Sequence, residues 1–411
     1  MATVAAWTGQ DCVALRDALR WSQAELAAHI GVSTRTVKRW EAGERIGRKA
    51  AADLDTTLSR TPAEVAKRFH DLRGEGAEMD RRNLLKAAPV AAGLVTLGLQ
   101  PGDLFPGGPG RPDAAAVQVI RQTLHSAMQL DDMLGSPAAQ GMVVAQTSVT
   151  EAMLRDCAAA IRPAVLSLHA EWMGFAGCLA WDAGEYETAA RLYSQARNLA
   201  HDAEDSDLGA YMLTHLAQLT IWQQRPRVAI DYAVAAQSWI RGSQDRPLRA
   251  YVHMRMAEAT ALAGRKADCL AALASAEKEM DGVEPSHPST SRAYFVGSGM
   301  LESYKGGCLT LVGEPTAAVT ASRHALTTMD PVYTRDRAMS LLELERGLVH
   351  LGEVDEAAAA VGEAAELTAQ NRSPRLVGAI RAGRRHLSPW AGCRSVRELD
   401  VHLADRDILT V

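Results

Sequence analysis

The chain repeats itself, and the period limits what it can fold into. Turn signals recur at Gly184-Glu185, Gln224-Arg225-Pro226, Gly264-Arg265, Gly313-Glu314 and Gly352-Glu353, at spacings of 40, 40, 49 and 39 residues. Seven residues before each turn stand Gly177, Ala217, Ala257, Gly306 and Glu345, small in all units but the last. Five residues after it come Ala189, Ala229, Cys269, Ala318 and Ala357; twelve after it come Ala196, Ala236, Ala276, Ala325 and Ala364. Small side chains at those offsets let two antiparallel helices cross closely. One such hairpin cannot bury its apolar face alone, so the units must stack into a solenoid. Composition agrees: hydrophobic residues make up 47% of the chain but aromatics only 5%, so the interior is built mainly from Ala, Leu, Val and Met. Ala is the best helix former, and period-two runs of β-branched residues are scarce. The expected fold class is all-α.

This pattern resembles the tetratricopeptide repeat (TPR), which has small residues at the same three places, although the pitch exceeds the usual length of about 34 residues. The fourth unit fits least well, with Glu302 and Lys305 where apolar residues are expected. Two helices between residues 113 and 160 and one near 375–387 are expected to cap the array. In this register the first helix of each hairpin lines a concave face carrying Trp181, Tyr211, Thr214, Gln218, Tyr251, Met254, Glu258 and Arg346. Aromatic bodies with polar tips suit a peptide or an amphipathic small molecule; ordinary helix packing is the competing reading of the same residues.

Three regions follow: a compact run of short helices over 11–72, a connector over 73–112, and the repeat domain over 113–411. The connector opens on Arg73-Gly74-Glu75-Gly76 and closes on a Pro/Gly-rich stretch, a composition that builds no core. Within it, Met79 to Leu99 superficially resembles a twin-arginine export signal. Its internal position, Pro89 and shortness favour a packed linker helix, with no membrane insertion. The six cysteines form no C-x-x-C pair, so neither a disulfide framework nor a zinc site is expected, and a reducing cytoplasm fits.

The net charge of −5 hides a local excess of positive charge. From Ser33 to Lys49, Arg35, Lys38, Arg39, Arg45, Arg48 and Lys49 face only Glu41 and Glu44. Just upstream, Ser22 with Glu25 makes a capping box, and Leu26, Ala27 and Ile30 form an apolar face. Gly31 supplies a left-handed turn, and Ser33 caps a second helix. On that helix Val37 and Trp40 point inward while Thr34, Arg35, Lys38 and Arg39 stay outside, and Gly43 ends it. Two short helices, the second capped and basic, are what a DNA major groove admits.

The segment closely resembles the Xre/Cro-repressor family of helix-turn-helix domains. The pattern S-Q-x-x-L-A, G-V-S, T-V-x-x-W-E-x-G is matched from Ser22 to Gly43. The resemblance implies a lambda-repressor-like domain of five helices, the first over about 11–19 and the last two in 48–58 and 62–72. By position it implies that Thr34, Arg35, Lys38 and Arg39 read base edges, and that Gln23, Ser33, Arg45, Arg48 and Lys49 hold phosphates. Glu41 is expected to brace the turn, since a carboxylate is repelled by phosphate. The layout resembles actinobacterial Xre-type regulators with TPR-like C-terminal domains, and more distantly peptide-sensing regulators of the Rgg/PlcR type. It implies a homodimeric transcriptional regulator whose operator binding responds to a peptide, small molecule or protein on the repeats. The alternative is a protein-interaction scaffold that keeps a DNA-binding head. No enzyme is expected: His169, His201 and His215 form no metal motif and read as packing residues, Gly297-Ser298-Gly299 reads as a flexible turn, and no cofactor is implied.

Overall fold

The computed structural model describes residues 7–44, 46–61, 65, 69, 112–283, 291–369, 371 and 373–409. Among them every regular element is a helix. The chain divides into two compact units, one within residues 1–90 and one within 91–411.

The first unit holds α1 (Gly9–Leu19), α2 (Gln23–Ile30), α3 (Thr34–Glu41) and α4 (Arg48–Ser59). Ser22 caps α2 through the Glu25 backbone amide, and the Glu25 carboxylate reaches back to the Ser22 amide at 2.6 Å. Gly31 takes φ +76° and ends the helix. Ser33 then caps α3, accepting from the Thr36 amide at 3.1 Å. Each cap contributes on the order of 1 kcal/mol, enough to matter for eight-residue helices that cannot stand alone. Leu15, Leu26, Val37, Trp40 and Leu54 meet in the core, with Val32 and Ile30 packed at its edge. The expected fifth helix over 62–72 and the connector, with its twin-arginine-like stretch, lie almost wholly outside the described residues.

Among the described residues the second unit is six helical hairpins and two closing helices: α5 (Ala114–Leu134) with α6 (Ser136–Asp156), α7 (Arg162–Asp182) with α8 (Tyr186–Asp202), α9 (Ser206–Trp222) with α10 (Pro226–Trp239), α11 (Arg246–Leu262) with α12 (Lys266–Met280), α13 (Ser298–Leu311) with α14 (Pro315–Thr328), α15 (Thr334–Leu351) with α16 (Val354–Leu367), then α17 (Pro374–His386) and α18 (Arg394–Ala404), each packed on α16. The five turn signals share one backbone device. Gly184, Gln224, Gly264, Gly313 and Gly352 all have φ between +58° and +84°. The next amide in each case bonds back across the turn, as in Glu185 N–H to Ala180 O at 2.8 Å and Arg265 N–H to Thr260 O at 2.9 Å. This is a Schellman closure repeated five times. The small residues at five and twelve positions past each turn are all fully buried, where the paired helices cross. A Cβ on Gly177 would stand 2.7 Å from the Tyr193 ring, which shows why that offset is small. The exception, Glu345, is fully buried and faces His386 Nδ1 of α17 at 3.2 Å.

Two features depart from a regular array. The 49-residue spacing contains a segment after α12 whose residues 291–297 turn back into the repeat unit, where Ala293 and Val296 join its core. Gly297-Ser298-Gly299 is the start of α13 and not a free turn, with Gly299 pressed against the backbone of Met329. The expected cap near 375–387 is α17, followed by an unforeseen α18.

The second departure is that the two ends of the solenoid meet. Arg335 at the start of α15 pairs with Asp131 of α5 at 2.9 Å. Asn371 donates to the carbonyls of Asp131 and Asp132 at 3.1 and 2.9 Å. Ser373 and Ser136 both donate to Asp182, at 2.6 and 2.7 Å. The clasp closes the superhelix around a cavity of about 1180 Å³.

Candidate functional site

The first candidate is the outer face of α3. Val37 and Trp40 are buried, which turns Arg35, Lys38 and Arg39 outward; all three are exposed, and Thr34 is half-buried beside them. Arg35 and Lys38 have no ion-pair partner among the described residues, so their charge is available to a polyanion. Arg39 is held against Glu44, its Nη2 donating at 2.6 Å. Lys49 is exposed on α4. Arg45 and the side chain of Arg48 lie outside the described residues.

Glu41 braces the motif from within. It accepts from Arg16 Nε of α1 at 3.0 Å and from Gln23 Nε2 of α2 at 2.5 Å. One carboxylate thereby ties all three helices together and fixes the angle at which α3 is presented. The Gln23 amide therefore has one N–H engaged within the domain, and the Ser33 hydroxyl is engaged at its cap and by Thr36 Oγ1 at 2.8 Å. Arg16 is the residue sequence reasoning missed; it stands outside the motif, on α1.

The second candidate is the cavity inside the closed repeats. Of the expected groove residues, Trp181, Tyr211, Gln218, Tyr251, Glu258 and Arg346 line it. Thr214 and Met254 do not. Both are fully buried between helices, and the Thr214 hydroxyl is spent on the Tyr211 carbonyl at 2.6 Å. They lie one helical step off the inward-facing stripe.

The walls combine aromatic faces with charged groups contributed from distant repeats. Trp181 and Trp222 meet edge-on at 6.1 Å, and the Arg375 guanidinium lies 3.8 Å above the Trp181 ring. Gln218 donates to Tyr304 Oη at 3.2 Å and accepts from Tyr251 Oη at 3.4 Å. From the inturned segment, Arg292 pairs with Glu171 at 2.9 Å and Asp205 at 2.6 Å, while Tyr294 donates to Asp132 at 2.6 Å. Arg346 pairs with Glu343 at 3.2 Å.

Burial and charge compete at these groups. Burial opposes ionisation of Asp182, but Arg375, Arg335 and two serine hydroxyls hold its carboxyl below the usual range. Burial pushes Asp132 up to about 7 despite Arg335. Glu258 likewise rises to about 7, burial outweighing Arg255. His215 is stacked on Tyr193 at 5.1 Å and edge-on to Tyr211 at 4.5 Å, and burial beside Arg255 drives it down to about 3. Neither of its ring nitrogens has a hydrogen-bond partner among the described residues. By contrast, His169 meets Thr150 Oγ1 at 2.8 Å and His201 packs on Trp239. Reading all three histidines as ordinary packing therefore fits two of them; His215 has a polar capacity the packing leaves unused.

Among the described residues no group of three His, Cys, Asp or Glu side chains could hold a metal ion, and no helix is long and apolar enough to cross a membrane.

Residues 14–65 match a helix-turn-helix family model. Among solved structures, one titled "Crystal Structure of Rap Protein Complexed with Competence and Sporulation Factor" aligns with a TM-score of 0.51, covering 80% of this chain and 88% of that chain at 13% identity. At that identity the likeness is one of fold. A search of curated proteins returned no match.

Proposed function

Since the chain joins an Xre/Cro-like helix-turn-helix domain to a TPR-like helical-repeat domain, we propose that it is a sequence-specific transcriptional regulator whose operator binding is tuned by a ligand held in the repeat cavity. The observation carrying this reading is the division of α3: Val37 and Trp40 inside, Arg35, Lys38 and Arg39 outside. In this reading Thr34 and Arg35 enter the major groove first, and Arg39 follows one turn later. Ser33, Gln23 and the basic residues after α3 contact phosphate and set register. The protein acts in the cytoplasm as a homodimer on paired half-sites about 34 Å apart.

The cavity supports the second half of the reading. It is large, aromatic-walled and furnished with a few convergent polar groups, the character of a ligand site. In vitro selection of duplex DNA by the full chain, followed by footprinting, tests the proposal. A defined footprint of two related half-sites is expected. Weak, sequence-blind binding that rises only with low salt would shift the reading to a protein-interaction scaffold.

A further inference from the structure

We infer that the ligand of the repeat cavity is a cation: an ammonium or guanidinium group on an aromatic or aliphatic body, with a carbonyl or hydroxyl nearby. The inference rests on the ligand-tuned reading above and adds the chemistry of the occupant.

Negative groups outnumber positive ones on the cavity wall. Seven carboxylates and five guanidiniums line it, and no lysine does. Four of the five guanidiniums are paired, Arg335 to Asp131, Arg375 to Asp182, Arg292 to Glu171 and Asp205, and Arg346 to Glu343, while Arg385 is exposed and has no ion pair among the described residues. Away from the exposed Arg385, an anionic ligand would have to break one of these pairs and leave a buried carboxylate uncompensated, which is expensive. Asp336 is the opposite case. Its carboxylate has no hydrogen bond or ion pair among the described residues, and it feels Arg335 and Arg375 only at longer range. Of the seven lining carboxylates it alone lacks a partner among the described residues, since Asp131, Asp132, Asp182, Glu171, Glu258 and Glu343 are each paired with an arginine, so a cation beside Asp336 supplies the missing counter-charge.

Two further observations, independent of the carboxylates, point to a ligand with hydrogen-bonding capacity. His215 is 6% exposed and lines the cavity, and neither of its ring nitrogens has a partner among the described residues. A neutral imidazole offers one acceptor to an N–H and one donor. The indole N–H of Trp181, on the same cavity wall, is also buried without an acceptor among the described residues, and needs a carbonyl or hydroxyl. Around these groups the faces of Trp181, Trp222 and Tyr211 supply the ring surfaces over which cations settle. The Arg375 guanidinium already occupies one such face.

Isothermal titration calorimetry on the full chain tests this with four probes: tryptamine, its neutral analogue 3-ethylindole, its anionic analogue indole-3-propionate, and the dipeptide Trp-Arg-amide. The two cationic probes separate a free amine from a peptide as the source. Expected is binding of at least one cationic probe, ten-fold or more tighter than the neutral analogue, with no heat from the anion. Asp336→Asn should weaken the cationic probe about ten-fold and leave the neutral analogue unchanged; Asp336→Ser serves if the first variant does not fold. Equal affinity for the neutral or anionic analogue, no binding by either cationic probe, or indifference to both Asp336 variants overturns the inference. Operator footprinting on the same preparation keeps the outcomes apart. A lost footprint with the charge ranking intact sinks the regulator reading alone, and an intact footprint with no charge ranking sinks only this one.

Discussion

Arg35 and His215 illustrate how a side chain's role is set by what its neighbours leave it free to do. Arg35 is exposed at the start of α3, with no ion pair among the described residues to restrain it. Replacing it with alanine should relax preference at one operator base pair by about 1–3 kcal/mol while other positions keep theirs. A selection on the variant checks this, and an unchanged base profile would count against a reading role. His215 makes a different prediction, one of pH. Its ring is neutral in the folded protein down to about 3 and titrates at 6.5 when unfolded. Its contribution to stability is therefore fully present above pH 6.5 and is lost as pH falls toward 3. Asp132, raised from 3.8 to about 7, acts in the opposite sense, losing stability as pH rises through that window. His215→Phe isolates the first effect. Between pH 7 and pH 5 the parent should lose about 2 kcal/mol relative to the variant in urea unfolding. Parallel pH profiles would show that the imidazole is not held neutral. The outward placement of Arg35 was legible in the sequence because it depends on a local motif. His215 was not, because its isolation depends on Tyr193, Tyr211 and Arg255 converging from three helices.

At the scale of elements, the repeat was legible from spacing because each hairpin closes within about 40 residues by local hydrogen bonds. The turn residues and the small crossing residues are both local requirements. Gln224 is the one turn residue of the five that carries a side chain at positive φ, +58°. Gln224→Gly should therefore stabilise the repeat domain by about 1 kcal/mol. Gly299 is the converse: its φ is ordinary, but a Cβ there would stand 2.6 Å from the Met329 backbone. Gly299→Ala should cost about 1–3 kcal/mol by overpacking. Thermal unfolding of the two variants checks both, and a shift of the same sign would refute the distinction. The inward turn of residues 291–297 was not legible. The long spacing betrayed an insertion, but Arg292 and Tyr294 reach their partners 87 to 162 residues away in sequence. For the same reason six of the eight expected groove residues line the cavity while Thr214 and Met254 fall just off the stripe.

The closed ring of the repeat domain is a property of the whole unit, since it accumulates from small rotations at every hairpin and is sealed by residues more than 190 positions apart. Arg335 is the centre of that seal. Arg335→Met should lower the stability of the repeat domain by about 3–5 kcal/mol at neutral pH, because Asp131 loses its one cation in a buried site and Asp182 keeps only Arg375 of its two. The deficit should shrink in acid as Asp182, which Arg335 helps to hold ionised, takes up its proton, a trend that chemical unfolding at several pH values would reveal. A deficit constant across pH would mean the loss is one of packing alone. Helix α5, whose Asp131 and Asp132 form half of the seal, is also the first helix the chain enters after the connector, capped at its outset by Asp113. The stretch of chain arriving from the helix-turn-helix unit thus enters the repeat unit through a helix that is itself half of its clasp, so the same 21 residues serve as doorway and as latch.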